Sequence, residues 1–174
     1  MKVQLWIVVV SILILEGCVS NTTSSDKVKP NTKSSDMFQS VELEKTTMLQ
    51  SGEKRLFCSK CGMKLPMFYK TNHSATSDGK VKQYCSIHCL AEDKSIHKHN
   101  VTNMKVVAID TLKFIDVKDA TYVVGSEKAG TMSGLSKYAF EGRMSARRFA
   151  KENQGTVVNF DKAYAYALKD FLTK

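Results

Sequence analysis

Residues 67–110 read MFYKTNHSATSDGKVKQYCSIHCLAEDKSIHKHNVTNMKVVAID. Met67–Ala75 has the composition of a strand. Ser77-Asp78-Gly79-Lys80 follows, and Asp-Gly supplies the positive backbone dihedrals that a tight hairpin turn needs. Val81–Cys85 is then the returning strand. Ile87–Ile96 has the length of a short helix, and Met104–Asp110 (MKVVAID) is a third strand. Strand, strand, helix, strand makes an α+β unit.

The same order recurs downstream. Ala120–Gly125 (ATYVVG) and Ser136–Phe140 read as strands, and Gly142–Asn153 as a helix with apolar Met144, Phe149 and Ala150. Gly155 suits the glycine that ends a helix. Thr156–Phe160 (TVVNF) is a strand. Asp161 is placed to cap a last helix, where Tyr164, Ala165, Leu168, Phe171 and Leu172 recur at helical spacing. Lys82-Gln83-Tyr84 and Ser136-Lys137-Tyr138 occupy matching places. The expected fold class is α+β, with two similar ββαβ units forming one compact domain. Before Cys58, residues 37–57 carry scattered apolar side chains and predict a weak helix or an entry strand.

The chain has 174 residues, 43% hydrophobic and 25% charged, enough for one domain plus extensions. Its formal charge is +9, yet it has no basic helix with interleaved aromatics and no RNA-binding signature, so no nucleic acid is expected. Positive charge also suits a protein beside anionic lipid or an anionic partner. The N-terminus opens Met1-Lys2, followed by an almost wholly apolar run from Val3 to Leu15. That run is too short for a bilayer, which needs about 20 residues, and fits the apolar region of a signal peptide. Leu15-Glu16-Gly17-Cys18 resembles a bacterial lipobox, with Glu16 where a small or aliphatic residue usually stands. An ordinary cleaved signal followed by a stray cysteine is the alternative. The resemblance implies lipidation (palmitate among the acyl chains) at Cys18. Val19, in place of an Asp, points to a periplasm-facing lipoprotein of the outer membrane. Residues 19–36 (VSNTTSSDKVKPNTKSSD) are too polar to bury a core. The chain is therefore divided into a signal peptide at 1–17, a lipidated flexible tether at 18–45 and a metal-binding domain at 46–174.

The chemistry lies in Cys58-Ser-Lys-Cys61-Gly-Met63 and Cys85-Ser-Ile-His88-Cys89. A Cys-x-x-Cys turn aims two sulfurs at one point. Positions 85, 88 and 89 at the start of a helix share one face, so two thiols and an imidazole are expected to converge there. The helix N-terminus is expected to lower the thiol pKa values. Four thiols in two pairs suit Zn(II), but in an exported protein they also suit disulfides. Met63 and Met132 shift the balance, because a thioether is a poor ligand for Zn(II) and a good one for Cu(I). Met132 lies in Gly130-Thr-Met-Ser-Gly134, among small residues and off any apolar stripe. The candidate metal ligands are thus Cys58, Cys61, Met63, Cys85, His88, Cys89 and Met132, with Cu(I) as the expected metal and Zn(II) as the alternative.

Two resemblances follow from these residues. Tyr84-Cys85-x3-Cys89, placed 23 residues beyond Cys61, is similar to the treble-clef metal-sensing modules called TRASH-type domains. The lipobox, Cys61-Gly62-Met63, the glycine-flanked Met132, the following helix, TVVNF and DKAYAYAL together resemble the nitrous oxide reductase accessory lipoproteins (NosL) over roughly residues 55–172. That resemblance implies a pair of ββαβ units related to part of organomercurial lyase. It also implies a membrane-tethered periplasmic copper chaperone that binds Cu(I) and delivers it to nitrous oxide reductase, in cooperation with an ABC-type membrane complex. Cys85, His88 and Cys89 exceed the usual family pattern. An exported lipoprotein with a structural zinc or disulfide site, serving protein interaction, is the other reading.

The remaining polar residues invite less. His73, mid-strand, is expected to face solvent, and His97 and His99 lie in a polar loop. Asp110, Asp116 and Asp119 show no pairing suited to acid–base work. No thioredoxin-like strand precedes Cys58, and no Ser/His/Asp order or phosphate loop occurs. The sequence makes no case for an enzyme.

Overall fold

A computed structural model describes residues 37–172. The expected signal peptide, Cys18 and residues 18–36 of the tether lie outside the described residues.

β1 (His73–Ser77) and β2 (Lys80–Tyr84) form the expected hairpin, with His73 opposite Tyr84 and Ser77 opposite Lys80. Asp78 and Gly79 both take positive φ, 47° and 78°, as this turn demands. α1 (Ile87–Ala91) follows and widens into a π-type turn at Glu92–Ile96. β3 (Val101–Ala108) then returns antiparallel to β1. A short β4 (Lys113–Asp116) folds back on β3. The second half comprises β5 (Thr121–Val124), β6 (Lys137–Phe140), α2 (Arg143–Glu152), β7 (Thr156–Val158) and α3 (Phe160–Lys169).

All strands join one mixed sheet of order β2-β1-β3-β6-β5-β7, with β4 paired to β3 beside this path. In each half the first strand lies between the other two, antiparallel to both. The halves meet where β3 and β6 run parallel, Ala108 against Ala139.

Side-chain alternation sends the second half's strands into two cores. Tyr122, Val124 and Ala139 pack with Ile87 and Ala91 of α1 and Ala163 and Ala167 of α3. Val123, Tyr138 and Phe140 face the other way, onto Ala146 and Phe149 of α2. A third cluster joins Leu65, Tyr84, Leu90 and Val101 to the cysteines.

Several expectations need correction. Met67–Ala75 is not one strand. Pro66–Thr71 is a 3-10 turn with Pro66 in its first position, where the missing N–H costs nothing, and β1 starts only at His73. Residues 37–57 form a 3-10 turn at Leu43–Lys45 and, at Phe57, a lone antiparallel bridge to Lys64. The folded body begins before residue 46. Phe38 packs edge-on against Tyr138 at 5.2 Å, and Gln39 is buried and donates to the Ala129 carbonyl. The last helix is capped by Asn159, whose Oδ1 accepts from Lys162 N, and Asp161 lies in its first turn.

His73 is fully buried and does not face solvent. Its Nδ1 donates to the Thr71 carbonyl at 3.0 Å, and its Nε2 accepts from the Tyr122 hydroxyl at 3.1 Å. Burial pushes its pKa down to about 4, so the ring is neutral at neutral pH.

Candidate metal centre

Two segments bring the sulfurs together. The first is the loop Cys58–Met63. It closes on itself through Gly62 N to the Cys58 carbonyl (3.0 Å) and Cys58 N to the Met63 carbonyl (2.8 Å). Gly62 turns at φ +77°, a conformation that a side chain resists. Ser59 fastens this loop to the end of β2, through N and Oγ to the Gln83 carbonyl at 3.0 and 2.8 Å. The second segment is the junction of β2 with α1. Ser86 is extended (φ −162°, ψ 169°) and the helix starts only at Ile87. Cys85 therefore approaches from the strand and Cys89 from the helix.

One ligand sulfur each from Cys58, Cys61, Cys85 and Cys89 lies within 4.8 Å of the others. Cys61 is 3.5 Å from Cys85, and Cys85 is 3.7 Å from Cys89. None is in a disulfide. Cys58, Cys85 and Cys89 are buried, whereas Cys61 is exposed. Four thiols this close share charge unevenly. Thiol hydrogen bonds from Cys85 and then Cys89 hold Cys58 well below the ordinary thiol range. The same contacts with Cys58 push Cys85 and Cys89 far up. These shifts arise from contacts among the sulfurs and not from the helix start. Several thiolates side by side need a cation among them, and an all-sulfur donor set selects soft ions such as Cu(I) or borderline Zn(II).

The other candidates are placed differently. His88 is not with the sulfurs. Its ring stacks on Phe171 at 4.3 Å, and its Nδ1 lies 3.4 Å from Asp170 Oδ2. Its expected position assumed a helix already running at Cys85. With Cys85 off the helix, His88, about 100° from Cys89 as any adjacent helix position is, no longer shares a face with two thiols. Met63 is half-buried against the cluster that includes Cys58, Cys85 and Cys89. Met132 is 41% exposed and holds φ +58°, a strained value for a side chain of this size.

Both neighbours of Met132 are tied to the cysteine-bearing segment. Thr71 Oγ1 bonds Thr131 Oγ1 at 2.9 Å and the Cys85 carbonyl at 2.8 Å. Ser133 Oγ donates to Asp170 Oδ1 at 3.0 Å, while Asp170 Oδ2 takes Lys137 Nζ at 3.1 Å and faces His88. Burial lowers the pKa of the Lys137 ammonium, against the opposing pull of Asp170. Thr71, Thr131, Ser133 and Asp170 escaped sequence reasoning, because their contacts span 14 to 82 residues and follow no motif. Beside the cluster, a groove of about 700 Å³ is lined by Cys58, Phe57 and Val81 together with Lys54, Lys60, Lys80 and Lys82.

Fold and cluster together define a small α+β domain built around a soft-metal thiol site. The chain belongs to the NosL family, whose model matches residues 50–165. Among solved structures, the fold is similar to the crystal structure of the copper chaperone NosL from Shewanella denitrificans. The TM-score is 0.52 at 24% identity, covering 64% of this chain and 92% of that one. No curated protein matches the sequence.

Proposed function

We propose that this protein is a membrane-tethered copper chaperone that carries Cu(I) and delivers it for assembly of the copper site of nitrous oxide reductase. Family membership and the likeness to a copper chaperone support the cargo. The observation that carries the reading is the asymmetry of the cluster: three buried sulfurs and one exposed one, Cys61. A carrier must hold its ion and still surrender it. The buried sulfurs of Cys58, Cys85 and Cys89 retain the ion, and Cys61 is the ligand an incoming donor atom replaces. Met63 and the pinned Met132 supply thioethers for intermediate contacts. Binding releases the thiol protons, so affinity falls as pH falls. Lipidation at Cys18 and a periplasm-facing position on the outer membrane complete this reading, with the ABC-type complex as a further partner.

Anaerobic competition titration of the full chain with Cu(I) and Zn(II) tests it. Cu(I) should displace Zn(II), and Cys61→Ser and Met132→Ala should release Cu(I) faster to a chelator. Absence of competitive Cu(I) binding, or unchanged release in both variants, would refute the proposal.

One observation favours a second reading. Zn–S bonds of about 2.3 Å give a tetrahedron with edges of about 3.8 Å, near the 3.5 and 3.7 Å spacings found here. A resident Zn(II) retained against excess Cu(I) would establish a structural site.

A further inference from the structure

The first residues of the described body lie against α2, and α2 carries a charge pattern that the fold does not use. Arg143, Arg147 and Lys151 recur at i, i+4 and i+8, with Met144 and Arg148 beside them, over an arc of about 140°. All five are exposed, Met144 by 72%. Among the described residues none of the four cations enters a salt bridge. The first turn of α2 has no acidic residue, although a helix N-terminus favours one, and Arg143 stands there instead. Acidic neighbours are few. Glu141 precedes the helix, Glu152 ends it one turn after Arg148 without an ion pair, and the Asp110 carboxylate is occupied by the Glu141 and Gly142 N–H groups. On the other side of α2, Phe149 meets Phe38 at 5.8 Å, and Phe38 carries the ammonium groups of Lys70 at 4.4 Å and Lys128 at 5.4 Å. The chain thus enters the described body beside this helix, with further positive charge at the point of entry.

We infer that the outer face of α2 lies on an anionic lipid surface. Arg and Lys at its centre meet headgroup phosphates, and Met144 enters the headgroup layer. The inference goes beyond copper carriage and rests on the proposed anchoring only for how the chain reaches the bilayer. The nineteen residue-to-residue steps from Cys18 to Met37 span at most about 65 Å, so they can hold this helix at the membrane. Each Lys or Arg near an anionic surface adds roughly fivefold to binding, so four outweigh a single anchor's freedom to swing. Orientation follows. α2 covers the sheet face bearing Val123, Tyr138 and Phe140, whereas α1, with Cys89, lies with Tyr122 and Val124 on the opposite face. Contact through α2 therefore turns the thiols away from lipid, towards a soluble partner.

The test uses the full chain in a Trp6→Phe background, since Trp6 is the sole tryptophan. Met144→Trp reports from α2 and Val81→Trp, at a position 51% exposed, from the thiol side. Each protein is mixed with vesicles containing 30% phosphatidylglycerol or phosphatidylcholine alone, both doped with a headgroup-level spin-labelled quencher. The indole at 144 should shift to the blue and be quenched on anionic vesicles at least twofold more than on neutral ones. The effect should disappear in 0.5 M salt and in Arg143→Glu/Arg147→Glu/Arg148→Glu, with position 81 unaffected throughout. Protein that floats with vesicles but shows no charge-dependent quenching at 144 overturns the inference and leaves anchoring intact. Protein that fails to float with anionic vesicles at low salt overturns both. Quenching equal at 81 and 144 overturns the orientation. Should the triple variant unfold, the salt titration of Met144→Trp alone decides.

Discussion

Both halves run strand, strand, helix, strand with the first strand in the middle, and the junctions that lead into their helices differ. In the first half, the passage from second strand to helix reads Cys85-Ser86-Ile87-His88-Cys89, and every residue of α1 is buried. In the second half the corresponding passage reads Phe140-Glu141-Gly142-Arg143, and α2 buries only Ala146 completely. One helix is interior and holds a thiol of the cluster; the other is superficial and holds charge. Connectivity therefore positions a site without choosing its chemistry. What decides is which side chains stand where β2 and β6 give way to a helix.

The sharpest way to break this comparison is to remove a thiol from the first half. Cys89→Ser should lower metal affinity by more than about 100-fold, beyond the effect of losing a group that merely supports a ligand. Cys61→Ser, at the exposed corner, should cost less affinity and mainly speed release. Competition with a chromophoric chelator measures both. Equal losses for the buried and exposed cysteines would mean that burial does not divide their roles. The second-half variant Arg147→Glu should leave metal affinity unchanged in the same assay.

Next in size is the link that ties the second half's Met132 loop to the first half's helix. Asp170→Asn leaves Lys137 as a buried cation with no countercharge, which costs about 3–5 kcal/mol when one partner of a buried pair is removed. Urea denaturation should show the lower end of that range, because Asp170 is partly exposed. Release of Cu(I) should also quicken if Asp170 positions Met132 through Ser133. A stability loss with unchanged release would reduce Asp170 to a structural role.

A third measurement concerns the contact between the two central strands. His73 of β1 meets Tyr122 of β5 with a native pKa of about 4, against about 6.5 unfolded. Between these values the unfolded chain binds a proton that the native chain does not. Stability therefore falls as pH drops from 6.5 towards 4, by about 2 kcal/mol at pH 5 and about 3 kcal/mol at pH 4. His73→Gln should flatten that slope; an unchanged slope would assign the acid sensitivity to other groups.

Most of the architecture was legible because its signals are local. Asp78-Gly79 fixes the hairpin, and short apolar runs mark β3, β5, β6 and β7. What was not legible is non-local or ambiguous. Lys113–Asp116 is a strand only because β3 lies beside it. Met67 and Phe68 look strand-like, but Pro66 starts a turn and Tyr69 is drawn inward. The four cysteines were legible from spacing. His88 was misplaced because the sequence does not reveal that Ser86 is extended, and Asp170 carries no pattern pointing to Met132.

The smallest effects lie at the helix starts themselves, and there the halves differ in sign. α1 follows Ser86, whose Oγ is buried with no hydrogen-bond partner and caps nothing. α2 follows Gly142, which has no side chain, and Asp110, just beyond β3, holds the chain that leads into the helix, accepting from Glu141 N at 3.0 Å and Gly142 N at 2.9 Å. Asp110→Ala removes these two hydrogen bonds at the helix entry and should cost about 1 kcal/mol. Ser86→Ala removes an unpaired buried hydroxyl and should be neutral or stabilise by up to about 1 kcal/mol. Paired urea melts read both. If Ser86→Ala destabilises as much as Asp110→Ala, the Ser86 hydroxyl has a partner in solution, and both junctions are held by side-chain hydrogen bonds after all.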